Sequence, residues 1–391
     1  MINLDNNATT KPCMAAVNAA MLALTDHWHN PSSVHRGGQD ARRLVELARQ
    51  DLADLIGAKP RDLIFTSGGT ESINLAVRGL LAARPASTPP VIVTSRVEHA
   101  AVRDLAQELE QTQTCEVRWA PVDRRGVIDL SAFDQLISGA ALAIVQWANN
   151  ETGIIQPIRE IAAACERARA RFICDGTQWI GKMPATVNPA ALRAADTAEC
   201  PCDALVFSPH KFHGPKGVGL LWLRPGVRLR PQLIGTQEMD RRGGTENVPG
   251  ILAAGAAARE AAAWLARPDE RLRLAALRDR FEQRVTAAIP TAVVNGAGSP
   301  HERLWNTTNI GFPPLEAEAL VLFLSERGVA VSAGAACSSG SLEPSPVLLA
   351  MGVPEPVAHG SLRFSLSRDT TAEELDQAVD IVTAAVAAMA G

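Results

Sequence analysis

The sequence predicts an α/β fold with a large domain built on a mostly parallel central sheet and a smaller α+β unit at its C-terminal end. Three observations carry this. Short apolar runs of strand length alternate with helical stretches through the middle of the chain. Polar, chemistry-bearing residues cluster where several of those runs end, which is where open α/β sheets bind ligands. Beyond Gly250 the text changes to Ala/Arg/Leu-rich helix and then a short mixed unit.

In chain order, the strand-length runs are 63–66, 91–94, 141–145, 171–174 and 204–207. Helical stretches at 71–83, 100–110 and 158–170 separate them, and 217–224 adds a further strand. A long helical stretch is expected over 251–288, followed by a strand at 306–310 and a helix at 316–327. The domain boundary is placed in the Ala-rich helical stretch. That gives a large domain at 16–255 and a small domain from 1–15 and 256–391. No internal repeats are visible.

The 391 residues allow a large core, and the composition (47% hydrophobic, 20% charged) is that of a water-soluble globular protein. A net charge of −4 gives no electrostatic case for nucleic-acid binding. The start, Met1-Ile2-Asn3-Leu4-Asp5, has no basic n-region or apolar h-region, and no apolar run is long enough to span a membrane. A cytoplasmic setting is the expectation.

Seven cysteines in so long a chain argue for reduced thiols over a disulfide framework. Cys13, Cys115, Cys165 and Cys174 read as filler. Cys200-Pro201-Cys202 resembles half a metal clip but lacks a second Cys/His pair, so no structural metal is expected. Cys337 differs, because it sits among small residues in Ala333-Gly334-Ala335-Ala336-Cys337-Ser338-Ser339-Gly340. That context suits a loop thiol that can reach and be reached.

The densest signal is Phe207-Ser208-Pro209-His210-Lys211-Phe212-His213-Gly214. Lys211 can form a Schiff base with an aldehyde cofactor, although an isolated His-Lys pair is more often an ordinary surface pair. Ser67-Gly68-Gly69-Thr70-Glu71 puts small residues and a hydroxyl at a helix start, which suits a phosphate or a plain cap. Glu98-His99 and Asn149-Asn150-Glu151-Thr152-Gly153 end two strands, where capping or a turn would explain them equally. Asp175 ends another, where a carboxylate can hold a pyridine nitrogen protonated. Together they supply a phosphate cradle, a ring-nitrogen partner, an imidazole and a Schiff-base lysine in a consistent order.

With these motifs in view, the chain resembles a cysteine desulfurase of the NifS/IscS type, a class V aminotransferase-like enzyme of the fold-type I pyridoxal phosphate group. The resemblance covers nearly the whole chain. It adds Leu4-Asp5-Asn6-Asn7-Ala8-Thr9-Thr10, Asp175-Gly176-Thr177-Gln178, Arg241-Arg242-Gly243-Gly244-Thr245-Glu246-Asn247 and Ser361-Leu362-Arg363-Phe364-Ser365 to the motifs above. The stretch Ser339-Gly340-Ser341-Leu342-Glu343-Pro344-Ser345 favours the NifS/IscS group.

The resemblance implies roles. Lys211 would hold pyridoxal 5'-phosphate and move protons. Asp175 would pair with the ring nitrogen, Gln178 or Asn150 would contact the phenolic oxygen, and His99 would stack on the ring and assist proton transfer as a catalytic residue. Gly69, Thr70, Ser208 and His210 would bind the phosphate. Thr245 would reach the phosphate of a neighbouring subunit, implying a homodimer. Arg363, with Asn150, would bind the substrate carboxylate. Cys337 would take the sulfur of L-cysteine as a persulfide, leaving L-alanine. It would pass that sulfur to an acceptor or iron–sulfur scaffold protein and is itself a candidate transient iron–sulfur ligand.

Three departures from the family pattern stand out. Pro209 removes a backbone N–H. Gly176, where Ala is usual, is expected to loosen its turn slightly. The segment 188–202 is longer than the family's. Selenocysteine lyase or another class V transaminase keeps the fold with a different reaction. A non-catalytic sulfur-relay scaffold is a reading of a different class.

Overall fold

The computed structural model of the chain describes residues 1–84, 89–188, 190, 197–296, 302–334 and 343–389. The N-terminal segment holds β1 (Ile2–Asn3), α1 (Met14–Thr25) and α2 (Arg36–Leu55). Strand–helix alternation follows through β2 (Leu63–Thr66), α3 (Gly69–Ala82), β3 (Val91–Ser95), α4 (Ala100–Gln111), β4 (Glu116–Ala120), α5 (Leu130–Leu136), β5 (Leu142–Gln146), α6 (Ile158–Ala168) and β6 (Arg171–Asp175). A two-stranded pair, β7 (Ala185–Thr186) with β8 (Ala198–Glu199), precedes β9 (Ala204–Phe207) and β10 (Gly219–Leu223). Then come the single turn α7 (Gln237–Asp240) and the helices α8 (Val248–Leu265) and α9 (Pro268–Ala288). The small unit contains β11 (Val293–Asn295), β12 (Thr307–Gly311), α10 (Ala317–Glu326), β13 (Val329–Ala330), α11 (Pro346–Ala350), α12 (Glu355–His359), β14 (Ser361–Ser365) and α13 (Ala372–Met389).

The central sheet runs β2-β10-β9-β6-β5-β3-β4. Strands β3, β4, β5, β6 and β9 are parallel, and β10 pairs antiparallel with both β2 and β9. The expected α/β architecture is therefore present. The inner strands β5, β9 and β10 are buried along their whole length because helices cover both faces. One face carries Phe65, Val145, Phe172 and Phe207 against α6 and α8. The other carries Ile64, Ile144, Ile173 and Val206 against α3 and α4. Each such side chain, fully buried, contributes about 1.5–3 kcal/mol relative to exposure.

The central sheet and the long helical stretch each depart from expectation at one point. The stretch 251–288 is two helices. Pro268 opens α9, and Arg267 before it takes φ −112°, ψ 82°, because a residue preceding proline is pushed out of the helical region. Strand β4 was not expected. Its Glu116 and Arg118 are the marks of an edge strand, and they break the apolar run. Helix α8 is rich in Ala and Gly for a packing reason. A Cβ at Gly255 would lie 2.7 Å from Ala48 Cα on α2.

The second core packs β12 and β14 against α9, α10 and α13 through Ile310, Phe364, Phe281, Leu320 and Val382. Core membership passes from the first cluster to the second between Ala261 and Trp264, within α8. That is several residues later than the expected change at 255/256. Strand β1 joins the second unit through β13, and the chain then crosses to the large one.

Candidate functional site

The carboxyl ends of β2, β3, β5, β6 and β9 surround a cavity of about 260 Å³. Gly69, Thr70, His99, Asn150, Asp175, Gln178, Ser208, His210 and Lys211 all line it, together with Ala8, Ile73, Gln146, Ala148 and Thr177. Register explains part of this convergence. Gln146 at the end of β5 pairs with Asp175 at the end of β6, and residues paired in a parallel sheet share a face. Cys174, one position earlier, belongs to the apolar core.

Lys211 ends a short 3-10 turn that opens at Pro209, just after β9. Its Nζ donates to the carbonyls of Asn7 at 2.7 Å and Ala8 at 2.8 Å. Asp175 is buried, and its Oδ1 accepts from the Thr177 N–H at 2.9 Å. His99 caps α4, its Nδ1 accepting from the Ala101 N–H at 3.1 Å. The sequence left a cap and a site residue as alternatives; His99 caps α4 and also lines the cavity. Because Nδ1 accepts, a neutral ring carries its proton on Nε2. Burial lowers the His99 pKa, the nearby Asp175 opposes this, and Lys211 adds to it. Burial and the neighbouring lysines push His210 down to about 3, so it too is a neutral ring. Its Nδ1 lies 3.2 Å from Thr9 Oγ1.

Helix α3 begins at Gly69 with no side-chain cap from Gly68, leaving first-turn N–H groups directed at the cavity. A Cβ at Gly69 would sit 3.1 Å from Ser208 Oγ and 3.5 Å from Thr177 Oγ1. Ser208 Oγ is buried without a partner among the described residues, as is Asn150 Oδ1. An uncapped helix start and two hydroxyls, one of them an orphaned buried donor, form a cradle that fits a phosphate. Lys211 and Asp175 on the same cavity fit the aldehyde and ring nitrogen of pyridoxal phosphate.

Not every expected residue lies on this wall. Arg363 on β14 is buried behind Asn150, donating from Nη1 to the Asn150 carbonyl at 3.2 Å and from Nη2 to Asp5 Oδ1 at 2.7 Å. Thr245 is exposed and belongs to a separate cleft with Ser67, Gly217, Glu246 and Asn247. Cys337 lies outside the described residues. Cys200 and Cys202 are buried in the core, and burial pushes both thiols well above their usual range. They are packed thiols, not ready nucleophiles. The expectation for Gly176 is corrected. A Cβ there would meet Leu205 Cδ1 at 2.8 Å, so glycine permits close packing of the turn on β9 and does not loosen it.

Sequence reasoning assigned no role to Asn7 or Lys182. Asn7 is buried, and its side chain donates to the Asn150 carbonyl at 3.1 Å and Thr307 Oγ1 at 2.9 Å, tying the N-terminal segment to both units. The buried polar pair Asn6-Asn7 just after apolar Leu4 was the available signal.

Glu98, next to His99 in the chain, is fully buried. Its carboxylate accepts from Ser95 Oγ and from the Gln146 N–H, each at 2.7 Å. Complete burial pushes its pKa from 4.5 up to about 8. The native chain therefore keeps a proton that the unfolded chain sheds above the ordinary carboxylate range. Stability from this group is full at lower pH and is lost as pH rises toward about 8. Glu98→Gln, neutral at every pH, is expected to flatten that fall. Melting temperatures taken across this window check it, and an unchanged slope would contradict the assignment.

Comparisons with known proteins agree with this geometry. Residues 2–378 match the family described as aminotransferase class-V. Cysteine desulfurase 2 of Trichormus variabilis is 45% identical over 98% of this chain and 92% of its own length. A solved structure described as a NifS-like protein superposes with TM-score 0.87 and 30% identity, covering 98% of both chains. Another, SspA in complex with cysteine, gives TM-score 0.78 and 28% identity over 95% of this chain and all of its own.

Proposed function

The chain belongs to the aminotransferase class-V family, and from that premise we propose that it is a pyridoxal phosphate-dependent cysteine desulfurase. The observation that carries this reading is the convergence of Lys211, Asp175, His99 and the uncapped start of α3 on one cavity. When bound, pyridoxal phosphate supplies a carbonyl carbon for covalent capture of an amine and a ring that accepts charge from the substrate's Cα.

The chain's own residues do the rest. Lys211 Nζ, at the cavity wall, is the amine that holds the cofactor and later carries the Cα proton. Asp175 pairs with the ring nitrogen and favours its protonated form. The neutral His99 ring presents an apolar face without adding positive charge. Gly69, Thr70, Ser208 and His210 hold the phosphate, and Asn150 and Gln178 the ring oxygen. Arg363 receives the substrate carboxylate, exchanging its contact with Asp5 for a second anion of the same geometry. In the overall step, the substrate's Cβ–S bond breaks and an S–S bond forms at Cys337. Cβ gains a hydrogen, giving L-alanine, and the Cys337 thiol sulfur is oxidised to a persulfide.

The acceptor is a second protein thiol or an iron–sulfur scaffold, in iron–sulfur cluster assembly or other sulfur trafficking. We place the chain in the cytoplasm, and among the described residues no helix is long and apolar enough to cross a membrane. The enzyme works as a homodimer in which Thr245 reaches the partner's phosphate. Its exposure, away from its own cavity, supports this, as do the exposed Leu233, Ile234 and Met239 just before it and Trp28 and Val34 on the N-terminal segment. Residues 31–32 share a cleft with 236–239, so these segments lie side by side.

The shared site has a direct test. Thr245→Val is expected to weaken cofactor binding by about 1.5–3 kcal/mol, as for a hydrogen bond to a charged group. Mixing inactive Lys211→Ala chains with inactive Thr245→Val chains should partly restore turnover, since one site of each mixed dimer then carries neither lesion. No recovery despite proven subunit exchange would overturn the shared site. The activity itself is tested by supplying L-cysteine and a thiol reductant, with equal yields of L-alanine and sulfide expected.

A further inference from the structure

Lys182 is a buried lysine that the reaction above does not use. It follows β6 in the run Trp179-Ile180-Gly181-Lys182-Met183 and is only 4% exposed. It does not line the cavity. Its Nζ donates to Gln178 Oε1 at 2.5 Å and to Asn7 Oδ1 at 2.8 Å. Its backbone carbonyl is fixed by Trp305 Nε1 at 3.0 Å.

These two contacts differ in importance. Asn7 Oδ1 also accepts from Asn306 Nδ2 at 3.0 Å, and the Asn7 amide nitrogen has two acceptors of its own. The Asn7 amide is held without Lys182. Gln178 Oε1 has only Lys182 as a donor among the described residues. A lysine amine has N–H groups to give whether charged or neutral, so it dictates that the Gln178 oxygen faces it. The Gln178 nitrogen must then face the other way. One of its N–H groups goes to the Asn7 carbonyl at 3.1 Å, the same carbonyl that Lys211 Nζ contacts. The second remains, on a residue that lines the cavity.

We propose that Lys182 is a positioning residue that locks the Gln178 amide so that its remaining N–H is presented to the phenolic oxygen of the cofactor. This rests on the desulfurase reading. Without Lys182 only the Asn7 carbonyl among the described residues favours this orientation, and it already accepts from Lys211 Nζ, so the amide is freer to turn over and place an acceptor against an anionic oxygen. The charged groups that bear on Lys182 are Lys211 and Arg363, both cationic, and with burial they hold its ammonium well below the usual lysine range. A neutral amine keeps both hydrogen bonds and adds no third positive charge beside Lys211 and Arg363.

The test is a pH titration of the bound cofactor's visible absorption, with cofactor affinity measured alongside. The titrating proton is shared with the phenolic oxygen, and an outside donor competes for that oxygen. Loss of the donor leaves the proton more tightly held. Lys182→Met, of similar length but without a donor, is expected to raise the midpoint by about one to two pH units, the size of one charge-assisted hydrogen bond. Gln178→Ala should raise it similarly, and adding Lys182→Met to Gln178→Ala should then change nothing further. An unmoved midpoint in a folded, cofactor-loaded Lys182→Met chain overturns the proposal, as does an additive shift in the double variant. Gln178→Glu tests the premise that Gln178 is the donor even if Lys182→Met fails to fold. It keeps an acceptor for Lys182 but has no N–H to offer, so it too should raise the midpoint, and an unmoved midpoint overturns the proposal. If the unaltered chain shows no cofactor absorption, the desulfurase reading fails first. Normal absorption with an unmoved midpoint refutes the Lys182 role alone.

Discussion

Lys211→Ala is expected to abolish covalent cofactor attachment and lower turnover by at least about 10²–10⁴-fold, the usual contribution of a positioned acid–base group. The fold should survive. Of the two carbonyls that Lys211 contacts, Asn7 O keeps a donor from Gln178, and Ala8 O lies on the open cavity. The lysine belongs to the cavity wall, not to the apolar core. Borohydride reduction of the unaltered holoenzyme followed by peptide mapping should label Lys211. Lys182 is a stringent control, because it is a second buried lysine whose ammonium form is disfavoured by burial and by Lys211, and it shares a hydrogen-bonded network with Lys211 through Asn7. A label on Lys182 or on the nearby Lys216 would refute the assignment.

Cys337→Ser is expected to separate the two halves of the reaction. The early steps need Lys211 and the ring, so cofactor loading and the spectral change on adding L-cysteine should persist. Persulfide formation should vanish, because a serine hydroxyl at neutral pH is a far weaker nucleophile than a thiolate. The six other cysteines cannot easily substitute. Among them Cys115, Cys165, Cys174, Cys200 and Cys202 are buried with raised pKa values, and Cys13 is half-buried with its own pKa raised by burial. Full sulfide production by Cys337→Ser with L-cysteine alone would rule out Cys337 as the acceptor.

What could be read in the sequence was mostly local. Apolar runs gave the strands, and the polar residues just beyond them converge because parallel strands deliver their carboxyl ends to one edge. Nine expected cofactor contacts meet on one cavity for that reason. Contacts between distant segments were not legible. Arg363 meets Asp5 across 358 positions, and Lys182 meets Asn7 across 175. No periodicity encodes either pairing. The break between α8 and α9 was masked by alanine, which favours helix on both sides, although Pro268 marked it. Gly176 misled because a missing side chain reads as freedom in a sequence, whereas here its space is taken by Leu205. Thr245 and Arg363 stand off the cavity wall, and the role proposed for each involves something beyond the single chain, a partner subunit or a substrate anion.

The most direct test follows sulfur and carbon together. The purified holoenzyme is incubated with L-cysteine without reductant, and the intact protein mass, the modified peptide and the amino-acid products are measured. The account predicts one added sulfur atom on the peptide containing Cys337 and L-alanine formed in equal amount. A keto acid formed with the sulfur still attached, or L-alanine absent while Cys337 stays unmodified, would contradict it.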